Sequence, residues 1–237
     1  MKIPESGVER ADLPPVPSIV SECLPHSDMK HPEFTALARE FVRAHTAAPL
    51  GASVEIGTRR GGSALLMLML LVKQKQYDQL LGPLPMVFSV DPYGGKPYNG
   101  GNGIFPGLYG DVEYRAMRAL LAPFTNHAHF LMTSSDFLRM AAGVGSGTWR
   151  YWHEGNEQRL VNNTSFVLHD GQHDAPSIAS DLRDLLAWKF LPAGGRIVID
   201  NVDVDPATKG AVAGIAGDYG AEVSFPTPLM GVVVVRR

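Results

Sequence analysis

Cysteine, charge and long apolar runs are all scarce in this sequence of 237 residues. A single cysteine, Cys23, excludes an intrachain disulfide and fits a cytoplasmic setting. Charged residues make up 19% of the chain and leave a formal net charge of -3, so nothing electrostatic points to nucleic acid as a partner. The densest basic spots are Arg59 with Arg60 and Arg236 with Arg237. The longest apolar run, Ala64 to Val72, is too short to span a bilayer, and no membrane association is expected. The opening segment MKIPESGVERADLPPVPS lacks the apolar stretch of a secretory signal.

What remains is an ordinary globular composition, 45% hydrophobic, on a length that suits one α/β domain with extensions. Residues 1–30 are proline-rich without clear periodicity and are predicted as an irregular arm. From His31 to Ala47 the apolar positions Phe34, Leu37, Ala38, Phe41, Val42 and His45 follow helical spacing. Residues 1–47 therefore read as an arm and a helix, and 48–237 as the main domain.

In that domain short apolar runs alternate with helical patterns. Strands are expected at 52–56, 86–90, 127–132, 165–169, 196–199, 221–225 and 231–235, with helices at 61–75, 111–122, 135–142, 176–190 and near 206–219. Such alternation predicts right-handed crossovers and a doubly wound, mostly parallel sheet, with ligands beyond the carboxyl ends of the strands. Two long segments, 92–110 and 143–164, break the rhythm and are expected as lid-like insertions. Their aromatic residues, Tyr93, Tyr98, Phe105 and Tyr109 in the first and Trp149, Tyr151, Trp152 and His153 in the second, suit contacts with a substrate. They suit equally the pinning of a loop or a contact between subunits of a homo-oligomer.

The first strand runs into Glu55-Ile56-Gly57-Thr58-Arg59-Arg60-Gly61-Gly62-Ser63. Gly57 permits a sharp turn, and Gly61 and Gly62 let backbone approach a ligand at a helix start, where the helix dipole favours a carboxylate. The glycine spacing differs from the dinucleotide pattern G-x-G-x-x-G. The second strand ends at Asp91, a carboxylate placed to accept the two hydroxyls of a ribose or to cap a turn before Pro92. The third leads to Thr133-Ser134-Ser135-Asp136, which reads as adenine contacts or as a helix cap.

The E-I-G-x-x-x-G-G-S stretch resembles the first motif of class I S-adenosylmethionine (SAM) dependent methyltransferases, in the form found in catechol and macrocin O-methyltransferase-like groups. The resemblance implies a Rossmann-like sheet of seven strands with the last antiparallel. It implies SAM as cofactor, held by Glu55, Gly57, Arg59, Gly61, Ser63, Asp91, Ser134, Ser135, Asp136 and Asp170, with Glu55 near the methionine ammonium.

Two further clusters end neighbouring strands: His169-Asp170-Gly171-Gln172-His173, and Asp200-Asn201 after Gly194-Gly195-Arg196-Ile197-Val198-Ile199. Asp170, Asp200 and Asn201 offer hard oxygen atoms of the kind magnesium takes. Asp200-Asn201 reads otherwise as a plain turn, His173 as a helix-start residue, and His169 as a packed or hydrogen-bonded side chain. The segment resembles D-G-x-H…P-G-G-x-x-x-x-D-(N/D) of metal-dependent O-methyltransferases. In that resemblance Asp170, Asp200 and Asn201 hold Mg2+ or another divalent cation, and His173 is the general base. A cation and a near-neutral base are what a hydroxyl nucleophile needs. Gly171 departs from the catechol enzymes, which carry an adenine-stacking side chain there. The resemblance covers roughly residues 50–204.

The expected activity is methyl transfer from SAM to a hydroxyl of a small molecule. Metal-independent methylation and a non-catalytic SAM-fold scaffold are the competing readings.

Overall fold

The computed structural model describes residues 16–49, 51–78, 84–93, 98–100, 103–105, 109–143, 148–153, 156–161, 164–187 and 191–236, and describes no side chains at 77–78, 98–100, 103–105, 141–143, 148–153 and 156–161. The apolar runs at Ala52–Ile56 (β1), Val87–Val90 (β2) and Thr164–His169 (β8) are buried at every position, as expected for strands covered on both faces. With His127–Phe130 (β5), Arg196–Ile199 (β9), Glu222–Ser224 (β10) and Gly231–Val234 (β11) they form one seven-stranded sheet in the order β10-β11-β9-β8-β1-β2-β5. The neighbours from β9 to β5 pair in parallel, while β11 runs antiparallel to both β9 and β10. This is the expected doubly wound α/β sheet of seven strands with an antiparallel last strand.

Alternation along the strands sends side chains to two apolar layers. On one face Phe166, Leu168 and Val198 pack with helices α1 (Val16–Cys23), α2 (His31–Ala47), α3 (Gly62–Asp78) and α4 (Asp111–Leu121). Phe41 of α2 meets Phe166 of β8 edge-on, with ring centroids 5.2 Å apart. On the other face Val54, Phe88, Val167 and Ile197 pack with α5 (Ser134–Gly143), α6 (Ala175–Ala187) and α7 (Pro206–Asp218). Burying each large side chain of these layers stabilises the fold by ~1.5–3 kcal/mol.

Three expectations need correction. The arm is not wholly irregular: Val16–Cys23 is a helix and Leu24–His26 a 3-10 turn. Its prolines concealed it, but Pro17 sits in the first turn, where a missing N–H costs nothing. Val16, Ile19, Val20 and Cys23 fall on one buried stripe. Residues 1–15 lie outside the described residues.

Neither insertion is simply a loop. The first contains a short hairpin, Tyr98–Gly100 (β3) with Gly103–Phe105 (β4). The second contains a hairpin of two six-residue strands, Thr148–His153 (β6) with Asn156–Val161 (β7). Thr, Trp, Tyr and Val are residue types enriched in strands. The side chains of Tyr98, Phe105, Trp149, Tyr151, Trp152 and His153 lie outside the described residues.

Candidate active site

The glycine-rich turn brings β1 and β8 together at their carboxyl ends. Gly57 has φ +86°, and a Cβ there would lie 2.1 Å from the Asp170 carbonyl oxygen. The Asp170 amide in turn donates to the Ile56 carbonyl at 2.8 Å. Only glycine combines that backbone conformation with so close an approach. Gly61 also has positive φ and immediately precedes α3, whose first-turn amides have no partner within the helix.

Glu55 lies on the α3 side of β1 with no solvent exposure. Its Oε2 accepts from the Ser89 hydroxyl at 2.9 Å, and His127 Nε2 lies 3.1 Å from the same Ser89 oxygen. Its other oxygen, Oε1, is buried without a partner. Burial pushes the carboxyl up to about 7, against the pull of the nearby Ser63, Ser89 and Thr58 hydroxyls. A charge-bearing donor, such as an ammonium, would satisfy the open oxygen.

Asp91 ends β2 and serves first as an organiser of the turn. Its Oδ2 accepts from the amides of Thr58 at 3.0 Å and Arg59 at 3.1 Å, and its Oδ1 from that of Tyr93 at 2.9 Å. A carboxylate has about four acceptor positions, so three backbone bonds leave room for a ribose hydroxyl. The turn-capping and ligand readings of Asp91 are thus compatible. Beside it the rings of Tyr93, Tyr114 and His129 meet tilted and edge-on, with centroids 5.2–5.7 Å apart, and of this aromatic wall the sequence singled out Tyr93 alone. Burial lowers His129 to about 4, so its ring is neutral near pH 7.

The N-terminal segment also reaches this turn. A Cβ on Gly62 would stand 2.5 Å from the His26 carbonyl oxygen. Arg59 pairs with Asp28 and lies 4.8 Å over the Tyr109 ring. At the head of α5, Thr133 accepts from the Asp136 amide at 3.1 Å and supplies the cap. Ser134, Ser135 and Asp136 form the first helical turn behind it.

Asp170 and Asp200 follow β8 and β9, which are adjacent and parallel. The Asp200 amide donates to the His169 carbonyl at 3.0 Å, which fixes the two ends together. Asn201, at φ +56°, turns the chain and donates its side-chain amide to Asp200 Oδ2 at 2.8 Å. Asp200 Oδ1 is buried without a partner. Loss of water raises the Asp170 carboxyl well above its ordinary value, and the charge of Asp200 raises it further. Asp200 is pushed up to about 6, by burial first and then by the charges of Glu33 and Asp203. Two carboxyls held together with an open oxygen form a site that gains from a cation. Among the described residues no cluster of three or more His, Cys, Asp or Glu side chains is arranged to hold a metal. The candidate set has two carboxylates and one amide.

His173 follows in the loop before α6, with Nδ1 buried and unpartnered. Burial, then the neighbouring His169, lowers it below the usual imidazole range, so it is neutral and able to accept a proton. His169 itself points to α6, where its Nε2 lies 3.0 Å from Asp181 Oδ2, the packing role open to it in the sequence. A Cβ on Gly171 would stand 3.1 Å from Ile56 Cγ2, a tight contact that Ile56 would have to relax.

Residues 54–202 match a family described as a methyltransferase domain. The fold is similar to that of the O-methyltransferase NovP, with a TM-score of 0.59 and 15% identity over 90% of this chain and 83% of that one. It is also similar to a protein from Klebsiella pneumoniae described as an O-methyltransferase, with a TM-score of 0.54 and 14% identity over 92% of this chain and 90% of that one. No curated protein matches the sequence. Among the described residues no helix is long and apolar enough to cross a membrane.

Proposed function

The chain belongs to the methyltransferase-domain family, and on that premise we propose that it transfers a methyl group from SAM to a hydroxyl of a small molecule, with a divalent cation held by Asp170, Asp200 and Asn201. The observation that carries the reading is the convergence of buried Asp200, its unpartnered Oδ1, Asp170 and neutral His173 at the ends of two adjacent strands. The donor set fits a hard cation, and the unpartnered Glu55 Oε1 fits the ammonium of an amino-acid ligand.

When bound, the cation lowers the pKa of the acceptor hydroxyl, and SAM supplies an electrophilic methyl group. His173 takes the hydroxyl proton on a ring nitrogen. Glu55, the amides opening α3 and Asp91 orient the cofactor, while the Tyr93, Tyr114 and His129 wall limits water beside it. Much of the acceleration comes from alignment, which can contribute several kcal/mol.

The test is methyl transfer from labelled SAM to a panel of phenols, catechols and sugars, with and without chelator. Transfer that chelation removes and Mg2+ restores supports the proposal. Transfer indifferent to chelation favours metal-independent methylation. Absence of transfer together with absence of SAM binding favours a scaffold.

A further inference from the structure

The buried face of α2 carries a carboxylate that the proposed cation site does not yet include. Glu33, in the first turn of that helix, is 6% exposed, and its Oε2 is buried without a hydrogen-bond partner. A glutamate placed only to complement the helix dipole needs no burial and keeps its oxygens in water.

Packing fixes where Glu33 lies. The carboxyl end of α2 sits at the amino ends of β8 and β9. Ser165 Oγ donates to the Ala48 carbonyl at 2.6 Å, and a Cβ on Gly194 would stand 3.0 Å from that of Ala47. Two turns further in, Glu40 pairs with Arg196, the first residue of β9. The helix therefore runs antiparallel to these strands. Glu33 is seven residues before Glu40, on the same helical face and about 10 Å along the axis. Moving about 10 Å along β9 from Arg196 covers roughly three residues, which brings Glu33 level with Ile199 and Asp200.

We infer that Glu33 is a third carboxylate of the divalent-cation site, acting on the cation through its coordinated water rather than as a direct ligand. This rests on the cation reading of Asp170, Asp200 and Asn201. The water-mediated role follows from the spacing: Glu33 lies level with Asp200, yet among the described residues no three acidic side chains gather into a direct ligand cluster. Magnesium keeps several waters and presents them to outer carboxylates. Glu33 is thus a positioning residue, tying the N-terminal helix to cation affinity.

The test is calorimetric titration of Mg2+ into the full chain for wild type, E33Q and D200N, with SAM titrated in parallel. Wild type should bind Mg2+, D200N should lose it, and E33Q should bind about tenfold more weakly with SAM affinity unchanged. Equal Mg2+ affinity in E33Q and wild type overturns the role of Glu33 and leaves the cation reading standing. No Mg2+ binding by wild type, with or without SAM, overturns both. A measurement without any variant guards against E33Q failing to fold. Substoichiometric Mn2+ should broaden the NMR amide signals of Glu33 and Phe34 together with those of Asp200 and Asn201. Broadening at Asp200 without broadening at Glu33 overturns the inference.

Discussion

The carbonyl oxygen of Asp170 occupies the space in which a side chain on Gly57 would begin, 2.1 Å from the position of its Cβ. This contact joins the cofactor turn after β1 to the cation-and-base loop after β8. Gly57→Ala must push the two apart while straining a backbone at φ +86°. The expected cost is on the order of 3 kcal/mol of stability, with loss of SAM binding. Chemical denaturation and calorimetry check both; wild-type SAM affinity in this variant would contradict the role given to the turn.

Glu55 leads to a pH-dependent expectation. Its folded carboxyl sits at about 7, above its ordinary value, so the folded chain binds the extra proton between the two. Stability therefore falls as pH rises through that window, by roughly 3 kcal/mol for the full shift. Glu55→Gln should raise the Tm of the SAM-free protein at pH 8 and change it little at pH 4.5, while weakening SAM. A Tm gain independent of pH would contradict a buried, proton-binding Glu55.

His173 is neutral and carries a free ring nitrogen near the carboxyl pair. His173→Ala should lower kcat by roughly 10²–10⁴-fold and leave SAM affinity unchanged. In wild type kcat should rise with pH as the imidazole loses its proton, and this limb should vanish in the variant. An unchanged pH limb would assign the base to another group.

His169 and Asp181 form a buried pair between β8 and α6 at 3.0 Å. Asp181→Leu leaves His169 Nε2 without its partner and should cost roughly 2–3 kcal/mol. Asp181→Asn should cost less, because an amide can still hydrogen-bond. Denaturation midpoints with unchanged m-values would report this; equal loss in both would show that charge, not bonding, is what His169 requires.

The core sheet was legible because its strands are nearly continuous apolar runs and its helices keep their period. The order of glycine turn, strand-end Asp91, Asp170 with His173, and Asp200 with Asn201 was legible because parallel strands put their carboxyl ends on one side. α1 was not, because Pro14, Pro15 and Pro17 read as an arm, although the spacing of Val16, Ile19, Val20 and Cys23 held the signal. The hairpins β3–β4 and β6–β7 were hidden by Gly and Asn in segments read as lids. Asp181 as partner of His169, and the chain from His127 through Ser89 to Glu55, depend on register between distant segments. Local pattern carries no trace of such pairings. Glu33 had a faint signature: with Leu37, Glu40 and Ala44 it follows the i, i+4, i+7 spacing of one helix face.

The central claim is that the turn at Gly57 and the carboxyls at Asp170 and Asp200 form one SAM-using site. The most direct measurement is calorimetric titration of SAM into the purified full chain, repeated with Gly57→Ala. Saturable binding by wild type that the variant loses is the expected result. No binding by wild type under any cation condition would contradict the account.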